Sequence, residues 1–108
     1  MSHVTTHVLD AALGRPAVGV AVSLYDADGG LIADGVTDDD GRVPELGPDA
    51  LPIGEYTVVF ETGAYFARTH TPTFYPRVSL DFDIADAAAH YHVPLLLSPF
   101  AFSTYRGS

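Results

Sequence analysis

His90-Tyr91-His92-Val93-Pro94-Leu95-Leu96-Leu97-Ser98-Pro99-Phe100-Ala101-Phe102-Ser103 reads as the two strands of a β-hairpin, and the remainder of the chain can be read outward from it. Alternation places His90, His92, Pro94 and Leu96 on one face and Tyr91, Val93, Leu95 and Leu97 on the other, with Ser98-Pro99-Phe100-Ala101 supplying the turn. Both faces are largely apolar. A strand face carrying two histidines among apolar residues is neither ordinary core nor ordinary solvent surface, which assigns it to a subunit contact or to the wall of a cleft. Past the turn, Ser103, Tyr105 and Gly107 share one face of the last strand, and Thr104 and Arg106 share the other.

Similar runs recur along the chain at short spacing with turn chemistry between them, the pattern of an all-β sandwich. The expected strands are Val4 to Asp10, Gly19 to Asp26, Leu31 to Thr37, Glu55 to Thr62, Arg77 to Ile84, Tyr91 to Ser98 and Phe102 to Arg106, with room for one further short strand near Arg42. Asp26-Ala27-Asp28-Gly29-Gly30 is a hairpin loop whose glycines admit positive φ. Gly63 to Arg68 is the one segment expected to be helical, and at about two turns it needs packing to persist. Ala85 to Ala89 reads as a connector, and Gly47-Pro48-Asp49, Pro52-Ile53-Gly54 and Thr71 to Pro76 read as loops. With no internal repeat, linker or low-complexity tract, residues 1–108 are expected to form one domain, a sandwich of seven to eight strands with one short helix.

The charge balance narrows the function. Fourteen Asp and Glu against five Lys and Arg give a net charge of −9, which argues against nucleic-acid binding because phosphate neutralisation requires a basic patch. The absence of cysteine excludes disulfides, Cys-ligated zinc and thiol nucleophiles. Met1 to Thr6 lacks a basic start followed by an apolar stretch, and no apolar run approaches the ~20 residues that span a bilayer. A cytoplasmic location is the expectation.

Five residues stand out as candidates for chemistry. In the first strand Val4, Thr6 and Val8 form one face and Thr5, His7 and Leu9 the other, so His7 points away from the core, as a surface or interface histidine would. His92 and His90 point the same way from one strand, a pair that could begin a metal site, yet no third ligand stands at a suitable spacing. Arg42 follows Thr37-Asp38-Asp39-Asp40-Gly41, a solvated turn without the ligand spacing of a calcium loop. Tyr105 offers a phenol. Ser108 has no Gly-x-Ser-x-Gly setting to mark it as a nucleophile, and water activated by histidine is the favoured attacking group. Arg106 faces away from Tyr105, toward an acidic neighbour or the end of the strand.

The blocks Thr6-His7-Val8-Leu9-Asp10, Gly14-Arg15-Pro16-Ala17, Asp40-Gly41-Arg42, His90 to Pro99 and Tyr105-Arg106-Gly107-Ser108, in this order over essentially the whole chain, resemble the transthyretin-related 5-hydroxyisourate hydrolases of purine catabolism. The resemblance implies a transthyretin-like (prealbumin-type) β-sandwich assembled as a homotetramer, a dimer of dimers with active sites lining a central channel. It implies hydrolysis of 5-hydroxyisourate to 2-oxo-4-hydroxy-4-carboxy-5-ureidoimidazoline in urate degradation, with no cofactor and no metal. His7, Arg42 and His92 become the catalytic residues, and His7, Arg42, Tyr105 and Ser108 the substrate-binding ones. Imidazoles suit a proton taken from water and returned to a leaving nitrogen near neutrality, and a guanidinium fork suits an oxo ring and its oxyanion. The alternative is a non-catalytic small-ligand carrier using the same tetramer channel, as transthyretin does. Two histidines, an arginine and a tyrosine are an ill-suited lining for an apolar ligand, since each buried polar group needs a partner.

Overall fold

Residues 2–108 are described by the computed structural model. Among the described residues, eight strands and one helix follow one another as β1 (Val4–Asp10), β2 (Arg15–Pro16), β3 (Ala21–Asp26), β4 (Leu31–Val36), β5 (Gly54–Phe60), α1 (Thr62–Ala67), β6 (Val78–Ile84), β7 (Tyr91–Leu97) and β8 (Phe102–Thr104). They form two four-stranded sheets, ordered β2-β1-β7-β8 and β4-β3-β5-β6. The expected all-β sandwich with one short helix is therefore the observed architecture. No helix among the described residues is long and apolar enough to cross a membrane.

Period-two alternation builds the core. In β1, Val4, Thr6, Val8 and Asp10 are buried and Thr5, His7 and Leu9 only partly so. β7 likewise buries Tyr91, Val93, Leu95 and Leu97, which meet Val22, Leu24, Val58 and Phe60 of the opposite sheet in one apolar cluster. Thr6 is tolerated inside because its hydroxyl donates to the Val93 carbonyl at 2.7 Å. β1 and β7 run parallel, from Val4 opposite Tyr91 to Asp10 opposite Leu97.

Strand ends depart from the sequence expectation for identifiable reasons. β3 begins at Ala21 instead of Gly19, because Gly19 has φ +81 and breaks the extended backbone. β8 was expected to run to Arg106 and stops at Thr104. The cause lies across the ladder in Pro94. Leu95 pairs with Thr104 and, in the same register, His92 with Gly107, so Pro94 would face Tyr105. Proline has no N–H for that bond, and its carbonyl is already taken by the Thr104 hydroxyl at 2.7 Å. The ladder resumes as the single bond from Gly107 N–H to the His92 carbonyl, 2.9 Å. The Ser98 to Ala101 turn is closed as expected, by a 2.9 Å bond from Ser98 N–H to the Ala101 carbonyl. β2, unanticipated, pairs Pro16 and Arg15 with Leu9 and Asp10.

α1 has no side-chain cap and persists by packing, burying Thr62 and Phe66. Its Tyr65 hydroxyl donates to the carboxylate of buried Asp10 at 2.7 Å, and Asp10 also accepts Leu13 N–H at 2.9 Å. The helix is thus tied to the end of β1. Burial, then the Asp10 carboxylate, push the Tyr65 phenol up from 10.0 to about 12. Because the raised phenol favours the neutral form, its contribution is complete below pH 10.0 and is lost as pH rises through about 12. Replacing Tyr65 by Phe should cost about 1–3 kcal/mol in chemical denaturation, the penalty for leaving a buried acceptor short of a donor. Ultraviolet phenolate titration should show one tyrosine ionising near 12 in the parent chain and none there in Tyr65→Phe.

Candidate active site

The outward face of the β2-β1-β7-β8 sheet brings together residues that are far apart in sequence. Thr5 of β1 lies opposite His92 of β7. His7, one step along the same face, makes an isolated bridge with Arg42, and His92 makes another with Gly107. Three predicted residues, His7, Arg42 and His92, therefore meet on one surface.

Arg42 arrives there on a tightly built turn. The Asp38 carboxylate accepts Asp40 N–H at 2.9 Å and Arg42 N–H at 3.0 Å, and Asp38 N–H donates to the Arg42 carbonyl at 2.8 Å. Gly41 holds φ +76, and its carbonyl accepts Val8 N–H at 2.7 Å. A Cβ at Gly41 would strike the Val8 carbonyl, so glycine is required on two counts. The solvated turn read from the sequence is a clip that seats Arg42 beside β1. Among the described residues its guanidinium has neither a hydrogen bond nor an ion pair, leaving the fork open.

The histidines are held differently. His7 Nε2 lies 2.8 Å from the Asp40 carbonyl, which only accepts, so Nε2 carries the proton and Nδ1 is the free nitrogen. His92 Nδ1 lies 2.8 Å from the Thr5 hydroxyl, and so does His90 Nε2. Gly107 packs against the His92 ring so closely that a Cβ there would collide with it. Burial, followed by the charges of Arg42, His7 and His90, holds His92 below the usual imidazole value. A neutral ring beside an open guanidinium can accept a proton while the cation attracts developing negative charge.

Tyr105 stands two residues before Gly107 and Ser108 directly after it, and both are exposed. Tyr105 borders a groove of about 500 Å³ between β6 and β8, with Leu80, Phe82, Tyr91 and Arg106. Arg106 stacks over the Tyr91 ring, 4.5 Å from its centre, instead of meeting an acidic group. A larger cleft of about 870 Å³, between the β1–β2 turn and α1, contains none of the predicted site residues. Among the described residues no three His, Cys, Asp or Glu side chains converge as metal ligands.

Thr5 and His3 carry no signal of a role in the sequence alone. Thr5 shares a face with His7, but its place between His90 and His92 follows only from the β1–β7 register. His3 is buried and structural, accepting Leu51 N–H on Nδ1 at 2.9 Å and donating from Nε2 to the Ala89 carbonyl at 2.7 Å.

Residues 4–107 match the model of the HIUase/Transthyretin family. The chain is 50% identical to 5-hydroxyisourate hydrolase 2 of Rhizobium meliloti, with 96% of this chain and 94% of that protein covered. The solved Klebsiella pneumoniae 5-hydroxyisourate hydrolase is similar with a TM-score of 0.90 at 42% identity, covering 100% of this chain and 94% of the other. Transthyretin from Sparus aurata has the same TM-score, 0.90, at 35% identity, covering 99% and 97%.

The lowered His92 value sets a titration. The neutral ring is the form the fold favours, so its contribution is present above 6.5 and lost as pH falls through the lower folded value. Proton NMR should place the His92 midpoint below 6.5, and Arg42→Gln should move it upward. An unmoved midpoint in Arg42→Gln would show that the guanidinium does not act on this ring.

Proposed function

This chain belongs to the HIUase/Transthyretin family, and from that membership we propose that it hydrolyses 5-hydroxyisourate to 2-oxo-4-hydroxy-4-carboxy-5-ureidoimidazoline. The observation that carries the reading is the meeting of His7, Arg42 and His92 on one sheet face, with the His7 backbone bridged to that of Arg42 and the Arg42 guanidinium unpaired among the described residues. A carrier of an apolar ligand would have no use for a base held next to an open cation.

Arg42 grips the oxygens and ring nitrogens of the substrate and stabilises the oxyanion formed when a ring carbonyl is attacked. His92 takes the proton from the attacking water. His7 offers Nδ1 to the substrate, its other nitrogen being engaged with Asp40. Tyr105 and Ser108, beside Gly107, supply further polar contacts to the substrate. The cyclic amide C–N bond opens, and its nitrogen is protonated as it leaves. No metal or cofactor takes part.

The assembly proposed is a homotetramer. β6 and β8 each form one edge of their sheets, with β4 and β2 at the opposite edges, and the proposed pairing uses β6 and β8 as the edges offered to a second copy. The outward face bearing His7 and His92 would then meet its counterpart between dimers and form the channel wall.

The test is to generate 5-hydroxyisourate in situ from urate and follow its ultraviolet decay. The protein should accelerate the decay, and His7→Ala, Arg42→Ala and His92→Ala should each lower kcat/KM by at least ~10²-fold with the fold intact. Arg42→Lys should not restore the rate, because a point charge lacks the fork. Decay no faster than the spontaneous rate would favour the carrier.

Dialysis against a strong chelator should leave the rate unchanged. A loss reversed by zinc would replace the imidazole mechanism with a metallohydrolase.

A further inference from the structure

The Thr5 hydroxyl lies 2.8 Å from His92 Nδ1 and 2.8 Å from His90 Nε2. A hydroxyl has one proton to donate. The two rings therefore cannot both present a bare nitrogen to it, and the hydroxyl uses its proton between them when it accepts from one ring and donates to the other. The tautomers of His90 and His92 are linked through a single oxygen.

His90 and His92 also differ in setting. His92 is partly buried, and burial and the charges of Arg42, His7 and His90 oppose its protonation and outweigh a smaller contribution from the Thr5 backbone that favours it, whereas His90 is exposed. A positive charge is costly on His92 and well solvated on His90.

We propose that Thr5 and His90 are positioning residues that form a proton relay with His92, setting its tautomer and moving its charge to solvent; this rests on the hydrolytic reading above. In the resting state His92 Nδ1–H donates to Thr5, Thr5 donates to His90 Nε2, and His92 Nε2 is bare. When Nε2 takes the proton of the attacking water, the Nδ1 proton passes to Thr5 Oγ1 and the Thr5 proton passes to His90 Nε2. His90 then releases the proton on its Nδ1 to bulk water. His92 is left neutral with a proton on Nε2, ready to donate to the departing ring nitrogen. As it donates, the two hydrogen-bonded protons return along the same path, and His90 Nδ1 regains a proton from water. One proton has left and one has entered, and the first arrangement is restored. His92 can act as base and then acid without retaining a second cation near Arg42.

The test combines nitrogen NMR of histidine-labelled protein with kinetics on Thr5→Val, Thr5→Ser and His90→Gln. At a pH where both rings are neutral, His92 Nδ1 and His90 Nε2 should show complementary protonation, and Thr5→Val should abolish the linkage. Two bare or two protonated nitrogens facing Thr5 in the parent chain would overturn the relay, whatever the activity. Thr5→Val and His90→Gln should each lower kcat by about 10-fold or more with KM changed less than about 2-fold, a loss on the scale of proton transfer. Thr5→Ser, which keeps the hydroxyl, should stay near the parent rate, and added imidazole should restore His90→Gln. Parent-level kcat in Thr5→Val, or Thr5→Ser as slow as Thr5→Val, would sink the proposal. Complementary tautomers in a chain that does not accelerate 5-hydroxyisourate decay would support the linkage and overturn the hydrolytic reading instead.

Discussion

The parallel ladder between β1 and β7 is the interaction on which the rest depends. Seven residues of each strand pair in one unbroken register, and that register has two effects because side chains alternate. On the inner face it packs Val4 and Val8 beside Tyr91, Val93 and Leu95. On the outer face it sets Thr5 between two histidines and places His7 one step further along. A slip of β1 by one residue would turn His7 inward and Val4 and Val8 outward, so core and site are specified by the same choice. The buried Thr6–Val93 hydrogen bond reinforces the choice, since losing it would strand a hydroxyl in an apolar interior.

Arg42 shows how a long side chain is brought to a site through its backbone. That backbone is fixed by the Asp38 carboxylate and by the left-handed Gly41, while the guanidinium has no partner among the described residues. Arg68, Arg77 and Arg106 are committed elsewhere, to the Val18 carbonyl, to Glu61 and to the Tyr91 ring. In a chain of net charge −9, an uncommitted cation gives an electron-rich ligand a favourable point on an otherwise repelling surface.

Much of this was legible in the sequence, because alternation and turn residues are local. The bounds of β1 and the burial of alternate β7 residues follow directly from the order of apolar side chains. The outward direction of His7 and His92 follows from the same alternation. Pairing partners are not local, and so the role of Thr5 and the bridge from His7 to Arg42 had no signal at the level of strands. The early end of β8 did have a signal, Pro94, but it acts only when the strand facing it is known. For Arg106, alternation alone leaves an acidic neighbour or the strand end as partners, and the aromatic ring it meets, Tyr91, comes within reach only through the cross-strand register.

The β1–β7 ladder also joins strands that lie far apart in the chain, since Thr5 meets His92 across a separation of 87 residues. β3, β4, β5 and β6 all lie between them, so the β4-β3-β5-β6 sheet can pair before β7 is available. Until β7 joins β1, the apolar face of Val22, Leu24, Val58 and Phe60 lacks its cover. A nascent chain is open to association during that interval, and the surface that carries the histidines forms only when β7 arrives.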